Sequence, residues 1–243
     1  MNLTDGNYWA EYWKHFVPFE VNNNILFSDI LLKFPDEELN YLEIGGFPAT
    51  YSIFLRKFKN YQVTLLDIID DHQTLEAMLL LNKLKMTDLN VIKTDIFSYQ
   101  TELKYDVVMS AGFIEHFSDT SLIIKKHLDL LREEGIFLIT LPNLKGLLGL
   151  ITWLFDRKSY NMHNIACMRI PLLKRIMHQQ QLKECRVEYY GNPYLYVNKN
   201  VRLNKYVRRI IQILSSLLCT VLPRLSLHKN LIFSPNIIIV GKK

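Results

Sequence analysis

The decapeptide Tyr41–Thr50, Tyr-Leu-Glu-Ile-Gly-Gly-Phe-Pro-Ala-Thr, constrains the fold more than any other stretch of the chain. Tyr41, Leu42 and Ile44 favour a pleated, buried strand. Gly45 and Gly46 then admit backbone angles and a close ligand approach that a side chain forbids. Pro48 suits the first turn of a helix running from Ala49 to Lys59. Strand, glycine turn and helix in that order place backbone N–H groups and a helix N-terminus at the carboxyl end of a strand, where α/β sheets bind ligands. The nicotinamide fingerprint Gly-x-Gly-x-x-Gly is not met, because Phe47 and Thr50 occupy the positions it needs.

The same unit recurs downstream. Tyr61–Leu66 reads as a second strand ending at Asp67-Ile68, one βαβ unit beyond Glu43. A carboxylate there can accept two hydrogen bonds from a ribose diol. Asp67 is not needed as a helix cap, since Asp70 and Asp71 serve the next helix, Asp70–Lys85, better. A third strand, Asn90–Lys93, leads into Thr94-Asp95-Ile96-Phe97, where Asp95 stabilises a turn or holds a ligand. Tyr105–Ser110 is a fourth strand, followed by Ala111-Gly112-Phe113-Ile114-Glu115-His116-Phe117 and a helix over Asp119–Arg132. After a turn at Glu133-Glu134-Gly135 come a fifth strand at Ile136–Leu141, a helix over Ile170–Gln181, a sixth strand at Cys185–Tyr190 and a seventh at Asn236–Val240.

Glu43-Ile44-Gly45-Gly46-Phe47-Pro48-Ala49 resembles the first motif of the class I S-adenosylmethionine-dependent methyltransferases, with Phe47 and Ala49 where that motif more usually has glycine. Asp106–Ser110 followed by Glu115-His116-Phe117 is similar to the family's fourth-strand motif, and Leu141-Pro142-Asn143 before an insertion is similar to members acting on metabolites and cell-envelope glycans. The resemblance implies an α/β, Rossmann-like, mostly parallel seven-stranded sheet with helices on both faces. It implies S-adenosylmethionine as cofactor, held by Glu43, Gly45, Gly46, Phe47, Asp67, Ile68, Asp95, Ile96, Ser110, Ala111 and Glu115. Asp95 would take the adenine amine with Ile96 on the ring, while Ser110 and Ala111 would back the methionine part. The acceptor is then an oxygen or nitrogen nucleophile, and His116 or His163 would serve as a base. Glu115-His116 alternatively caps the next helix, and a fold-only scaffold without catalysis is the reading in which Phe47 and Ala49 have closed the loop.

The expected organisation is an N-terminal helical cap over residues 1–40 and a methyltransferase domain over 41–243, with insertions at about 144–165 and 192–233. Tyr8, Trp9, Tyr12, Trp13 and Phe16 recur at helical spacing, and a second helical segment runs from Ile25 to Phe34. These aromatics bury against the domain, or Tyr8, Trp9 and Tyr12 line the pocket. A content of 49% hydrophobic and 22% charged residues in 243 excludes a disordered chain. Cys167, Cys185 and Cys219 are scattered, which argues against a disulfide framework or a zinc site and suits a reducing cytosol. No metal-ligand cluster is visible, and no metal is expected. The N-terminus lacks the pattern of a secretion signal. No apolar run reaches the ~18–20 residues that span a bilayer.

Charge is unevenly spread. The net charge is +5, yet nothing acidic follows Glu188 while nine Lys and Arg do, which leaves the residues up to Glu188 at −4. Within the basic part, Lys205–Leu222 is amphipathic, ending at Pro223, with Tyr206, Val207, Ile210, Ile211 and Ile213 among its apolar residues. That face packs on the protein's own core, on a second copy in a homodimer, or on an anionic membrane surface beside Leu147–Phe155, Tyr194 and Tyr196. The cations are not interleaved with aromatics along an identifiable groove, so nucleic acid is not an expected partner. The expected acceptor is a small molecule or a lipid-linked saccharide, with the protein cytoplasmic or peripheral at the inner face of the membrane. The alternative is a soluble metabolite.

Overall fold

A computed structural model of the chain describes residues 2–180, 182–197, 201–225, 227 and 229–243. In chain order its elements are α1 (Gly6–Trp13), α2 (Ser28–Leu31), β1 (Asn40–Ile44), α3 (Thr50–Lys59), β2 (Gln62–Asp67), α4 (His72–Leu81), β3 (Leu89–Lys93) and β4 (Tyr105–Ala111). They continue with α5 (Thr120–Leu130), β5 (Leu131–Pro142), α6 (Leu147–Phe155), α7 (Arg157–Asn161), α8 (Ile170–His178), β6 (Glu184–Tyr190), α9 (Lys205–Arg224) and β7 (Asn236–Lys242). The strands form a mixed, mostly parallel sheet in the order β3-β2-β1-β4-β5-β7-β6 with helices around it, the Rossmann-like architecture that the sequence predicts. β1 runs parallel to both β2 and β4, with Glu43 opposite Leu65 on one side and Met109 on the other. β2 runs parallel to β3, with Asp67 opposite Lys93. This register aligns the carboxyl ends of β1, β2 and β3 on one edge.

The chain divides into two compact units. The first comprises Thr4–Ala111, Ile124–Leu138 and Lys242–Lys243. β1 and β2 are buried along almost their whole length, as parallel strands covered on both faces must be. Tyr41, Leu42, Ile44, Phe54 and Leu65 lie at the centre of this core. α3 begins one residue later than expected, at Thr50, because Ala49 adopts a left-handed conformation (φ 71°) outside the helix. α4 is shorter than its periodicity predicts. Asp71 caps its start, accepting from the Thr74 N–H at 3.1 Å. Asn82 ends it, its amide donating to the carbonyls of Met78 and Phe19.

Two further expectations in this unit are corrected. The aromatic residues of α1 do not bury, for no residue of that helix is buried. Its four rings pack mostly edge-on against one another, with Tyr8 and Tyr12 stacked. Tyr8 meets Trp9, Tyr12 meets Trp13, and Trp13 in turn lies 5.6 Å edge-on from Phe47. The stretch Glu133-Glu134-Gly135 is not a turn but part of β5, because the Glu134 N–H donates to the Lys243 carbonyl and the Lys243 N–H to that of Gly135.

The second unit comprises Met1–Leu3, Gly112–Ile123 and Ile139–Gly241. Asn143, fully buried, donates its amide to the carbonyls of Leu231 and Ser234 and thereby pins the end of β5 to the segment before β7. α8 ends at His178, and Gln181, the expected end, lies outside the described residues. α9 runs one residue past Pro223, with the Leu225 N–H closing the last turn onto Val221 and Leu222.

α9 departs most from the sequence reading. Its apolar residues divide between two environments. Ile211 is buried with Leu195 and Val197, and Val207 and Leu218 pack against this cluster together with Leu147 and Phe155. Tyr206, Ile210, Ile213, Leu214, Leu217 and Val221 are each more than 45% exposed. At 20 residues α9 is long and apolar enough to cross a membrane by length and composition, with only 11% of its most apolar window buried. The absence of such a run, expected from the sequence, is therefore corrected. Arg208 belongs to the packing, since its guanidinium donates to the carbonyls of Val197 and Val201.

Candidate active site

In the first unit the glycine turn is built around two buried carboxylates. Glu43, at the penultimate position of β1, is 1% exposed, and its Oε2 accepts from the backbone N–H (2.7 Å) and hydroxyl (2.6 Å) of Ser52 in the first turn of α3. Burial raises its pKa to about 7, against the lowering effect of the Ser52 hydrogen bonds. Gly46 has to lack a side chain, because a Cβ there would stand 2.2 Å from Glu43 Cγ. Gly45 takes φ 62° and donates its N–H to the Leu66 carbonyl, which extends the β1–β2 ladder into the turn. Phe47 is buried, with its N–H given to Asp67.

Asp67 ends β2 beside this turn. Its Oδ2 accepts from Phe47 N–H and its Oδ1 from Ile69 N–H, both at 2.9 Å, and burial raises its pKa. With the Ile68 backbone N–H also acting on it, the carboxylate organises the loop. Asp95, two residues beyond β3, is half-buried and accepts from the Phe97 N–H at 2.8 Å. Ile96 is buried beside it, and Ile68 and Ala111 are half-buried at the ends of β2 and β4. Glu43, Asp67 and Asp95 thus stand at or just beyond the carboxyl ends of three neighbouring parallel strands, with Ile68 and Ile96 following the last two in sequence. The Ser110 hydroxyl shares a 2.9 Å hydrogen bond with His127 Nε2, both residues being fully buried. His127 was not legible as a site residue, because a lone histidine within an amphipathic helix gives no signal of its partner.

In the second unit a 3₁₀ turn, Ile114–His116, follows Gly112 and carries Glu115 and His116. The loop after α7 returns to it. The Asn164 N–H donates to the Glu115 carbonyl (2.7 Å), and the Asn164 amide to that of Phe117 (2.9 Å). Folding so brings His163 beside His116, with ring centroids 4.7 Å apart. His116 Nδ1 lies 3.0 Å from the Met162 carbonyl and His163 Nδ1 lies 2.7 Å from that of Ser159. A carbonyl only accepts, so both Nδ1 atoms carry the proton and both Nε2 atoms carry the lone pair. Burial, reinforced by His163, pushes the His116 pKa down to about 3, and burial lowers that of His163, so both rings are neutral at neutral pH. Glu115 is 1% exposed and pushed by burial up to about 8. Ligand atoms of Glu115, His116 and His163 all lie within 4.8 Å of one another. No such grouping is visible in the sequence, and it is the fold that brings these three groups together. The sequence concealed it because Glu115 and His163 are far apart along the chain and share no short-spaced motif.

The parallel sheet, the glycine turn and the acids at its carboxyl edge define the fold of a class I S-adenosylmethionine-dependent methyltransferase. The chain belongs to the methyltransferase-domain family, whose model matches residues 35–200. It is 27% identical over 100 residues to (S)-coclaurine N-methyltransferase of Papaver somniferum, a match that covers 40% of this chain and 28% of that protein. Its fold is similar to an S-adenosylmethionine-dependent methyltransferase from Archaeoglobus fulgidus, at 20% identity and a TM-score of 0.57, over 89% of this chain and 91% of that one. It is also similar to phosphoethanolamine N-methyltransferase 2 of Haemonchus contortus, solved with S-adenosylmethionine, at 16% identity and a TM-score of 0.56, over 88% of this chain and 51% of that one. The family's methyl donor is S-adenosylmethionine.

Proposed function

We propose that the protein transfers a methyl group from S-adenosylmethionine to a nitrogen or oxygen of a small acceptor that is lipid-linked or saccharide-bearing and is met at an anionic membrane surface. The observation that carries the methyl-transfer reading is the row of acids Glu43, Asp67 and Asp95 at neighbouring strand ends in a chain of this family. The donor brings a methyl already activated on a sulfonium, so no metal or redox step is required of the protein for that transfer. What remains is to align the reactants and exclude water. Asp67 fixes the Phe47 N–H and accepts from a diol, Asp95 takes the amine, and buried Ile96 supports the ring. The partial likeness to an N-methyltransferase supports nitrogen as the acceptor atom. For a hydroxyl acceptor, His163 with no cation on it is the base we expect, being neutral and less buried than His116.

The membrane reading is supported by α9 and α6. α6 likewise exposes Leu150, Trp153 and Leu154, with Arg157 stacked 4.7 Å over Trp153, and its Leu147 and Phe155 share the Ile211 cluster with α9. An apolar face edged with cations suits an interfacial helix lying against anionic lipid. The free thiols of Cys167, Cys185 and Cys219 support a place at the inner, reducing side. Calorimetric titration with S-adenosylmethionine and S-adenosylhomocysteine tests the first part. Binding weakened by about 10–100-fold in Asp67→Ala is expected from the loss of charge-assisted hydrogen bonds. No binding by the native chain, or equal binding by the variant, sinks it. Flotation with phosphatidylglycerol vesicles at low salt tests the second part. A chain that stays behind as a dimer would transfer the reading to a soluble acceptor, with α9 covered by a second copy.

A further inference from the structure

The cluster of Glu115, His116 and His163 has a second chemistry open to it, one that does not rest on the methyl-transfer reading. Three observations converge. Each imidazole is oriented by a hydrogen bond from Nδ1 to a backbone carbonyl, Met162 for His116 and Ser159 for His163. That arrangement fixes the ring and presents Nε2 as the donor atom, as the supporting contacts of metal-bound histidines do. The third group is a carboxylate, 1% exposed, whose Oε2 has no hydrogen-bond partner among the described residues. A buried, unpartnered carboxylate oxygen is costly unless something completes it. Finally, one ligand atom from each of the three side chains lies within 4.8 Å of the others, close enough for side-chain adjustments to bring them to the ~2.0–2.2 Å metal distances of His and Glu ligands.

We propose that Glu115, His116 and His163 bind a first-row divalent cation of the Zn²⁺ or Fe²⁺ class, clasping the loop after α7 to the 3₁₀ turn at Ile114–His116. Two imidazole nitrogens and one carboxylate oxygen are the donor set of catalytic His₂Glu zinc sites and of the two-histidine, one-carboxylate iron sites, both of which leave a coordination position open. Ca²⁺ and Mg²⁺, which prefer all-oxygen shells, are disfavoured by the two nitrogens. With the cation bound, the imidazoles act as ligands and cease to be available as bases.

The test is calorimetry on the full chain after chelator treatment, with Zn²⁺ and Co²⁺ as separate probes and Mg²⁺ as the control. The background carries Cys185→Ser and Cys219→Ser, which removes the exposed thiols as adventitious ligands. One equivalent of Zn²⁺ bound at micromolar or tighter affinity is expected, together with an intense visible Co²⁺ spectrum. His163→Ala should weaken binding by at least about 100-fold, and the near-isosteric Glu115→Gln by about 10–100-fold. Glu115→Gln preserves shape, so its thermal melting without metal separates loss of a ligand from loss of the fold. A Zn²⁺-dependent rise in Tm is expected for the parent and not for that variant. No binding by the parent, or binding unchanged in both variants, overturns the proposal, as does Mg²⁺ binding as tightly as Zn²⁺.

Discussion

Glu43 sits within the first unit with Ser52 on one side and the charge of Asp67 and the buried Tyr41 hydroxyl nearby. Its pKa rises from 4.5 to about 7 chiefly through burial. Because the folded state holds that proton more tightly than the unfolded chain, the group's contribution is complete below about pH 4.5 and is lost as the pH rises through 7. The native chain should therefore lose stability between pH 5 and 8 more steeply than Glu43→Gln. Urea unfolding of both proteins across that range isolates the difference, and parallel curves would refute it. Gly46→Ala should destabilise by about 1–3 kcal/mol, the usual cost of overpacking, because its Cβ drives into the Glu43 side chain. The same variant should bind S-adenosylmethionine at least about tenfold more weakly, read by calorimetry. The sequence displayed Glu43 and Asp67 because strand, turn and acid are adjacent in the chain. It did not display Ser52 or His127, whose roles are set by what the fold lays against them.

At the scale of elements, α9 carries two kinds of apolar position that its sequence does not distinguish. Hydrophobic period marks a helix and a face, but the partners that bury part of that face, Leu195 and Val197, come from an irregular segment with no pattern of its own. Ile211→Ala should cost about 2–4 kcal/mol in urea unfolding, as a core truncation. The pair Ile213→Ser and Leu217→Ser, on exposed positions, should leave stability nearly unchanged, each within about 0.5 kcal/mol, while abolishing vesicle flotation. Equal effects on stability from both changes would mean that the exposed face is covered in solution. α1 teaches a related lesson. Its helical spacing was legible, but spacing did not reveal that its four aromatic side chains would turn to one another, with Trp13 also meeting Phe16 and Phe47.

Across the whole molecule the charge is divided more sharply than its net value of +5 conveys, since every acidic residue lies at or before Glu188. Attraction of the cations beyond that point to an anionic surface is screened within about 10 Å at 0.1 M salt and about 3 Å at 1 M. Vesicle binding should therefore fall at least about tenfold between 0.05 and 0.5 M NaCl, measured by flotation. Binding that ignores salt would assign it to apolar contact alone. Fold class and the acids at the sheet edge were readable at this scale because consecutive βα units repeat locally. The pairing of Glu115 with His163 was not, because it joins segments distant in sequence.

The strand order has a consequence in time. β6 is made before α9, yet its neighbour in the sheet is β7, and β7 lies between β5 and β6. A nascent chain that has not yet released Asn236–Lys242 holds β6 with no strand to pair with and β5 with one edge open. Over the same interval the exposed apolar helix α9 is already synthesised. Open strand edges and uncovered apolar surface are what holdase chaperones recognise and what drives misassembly on the ribosome. The interval before these last strands close is therefore the time for which those edges stay open.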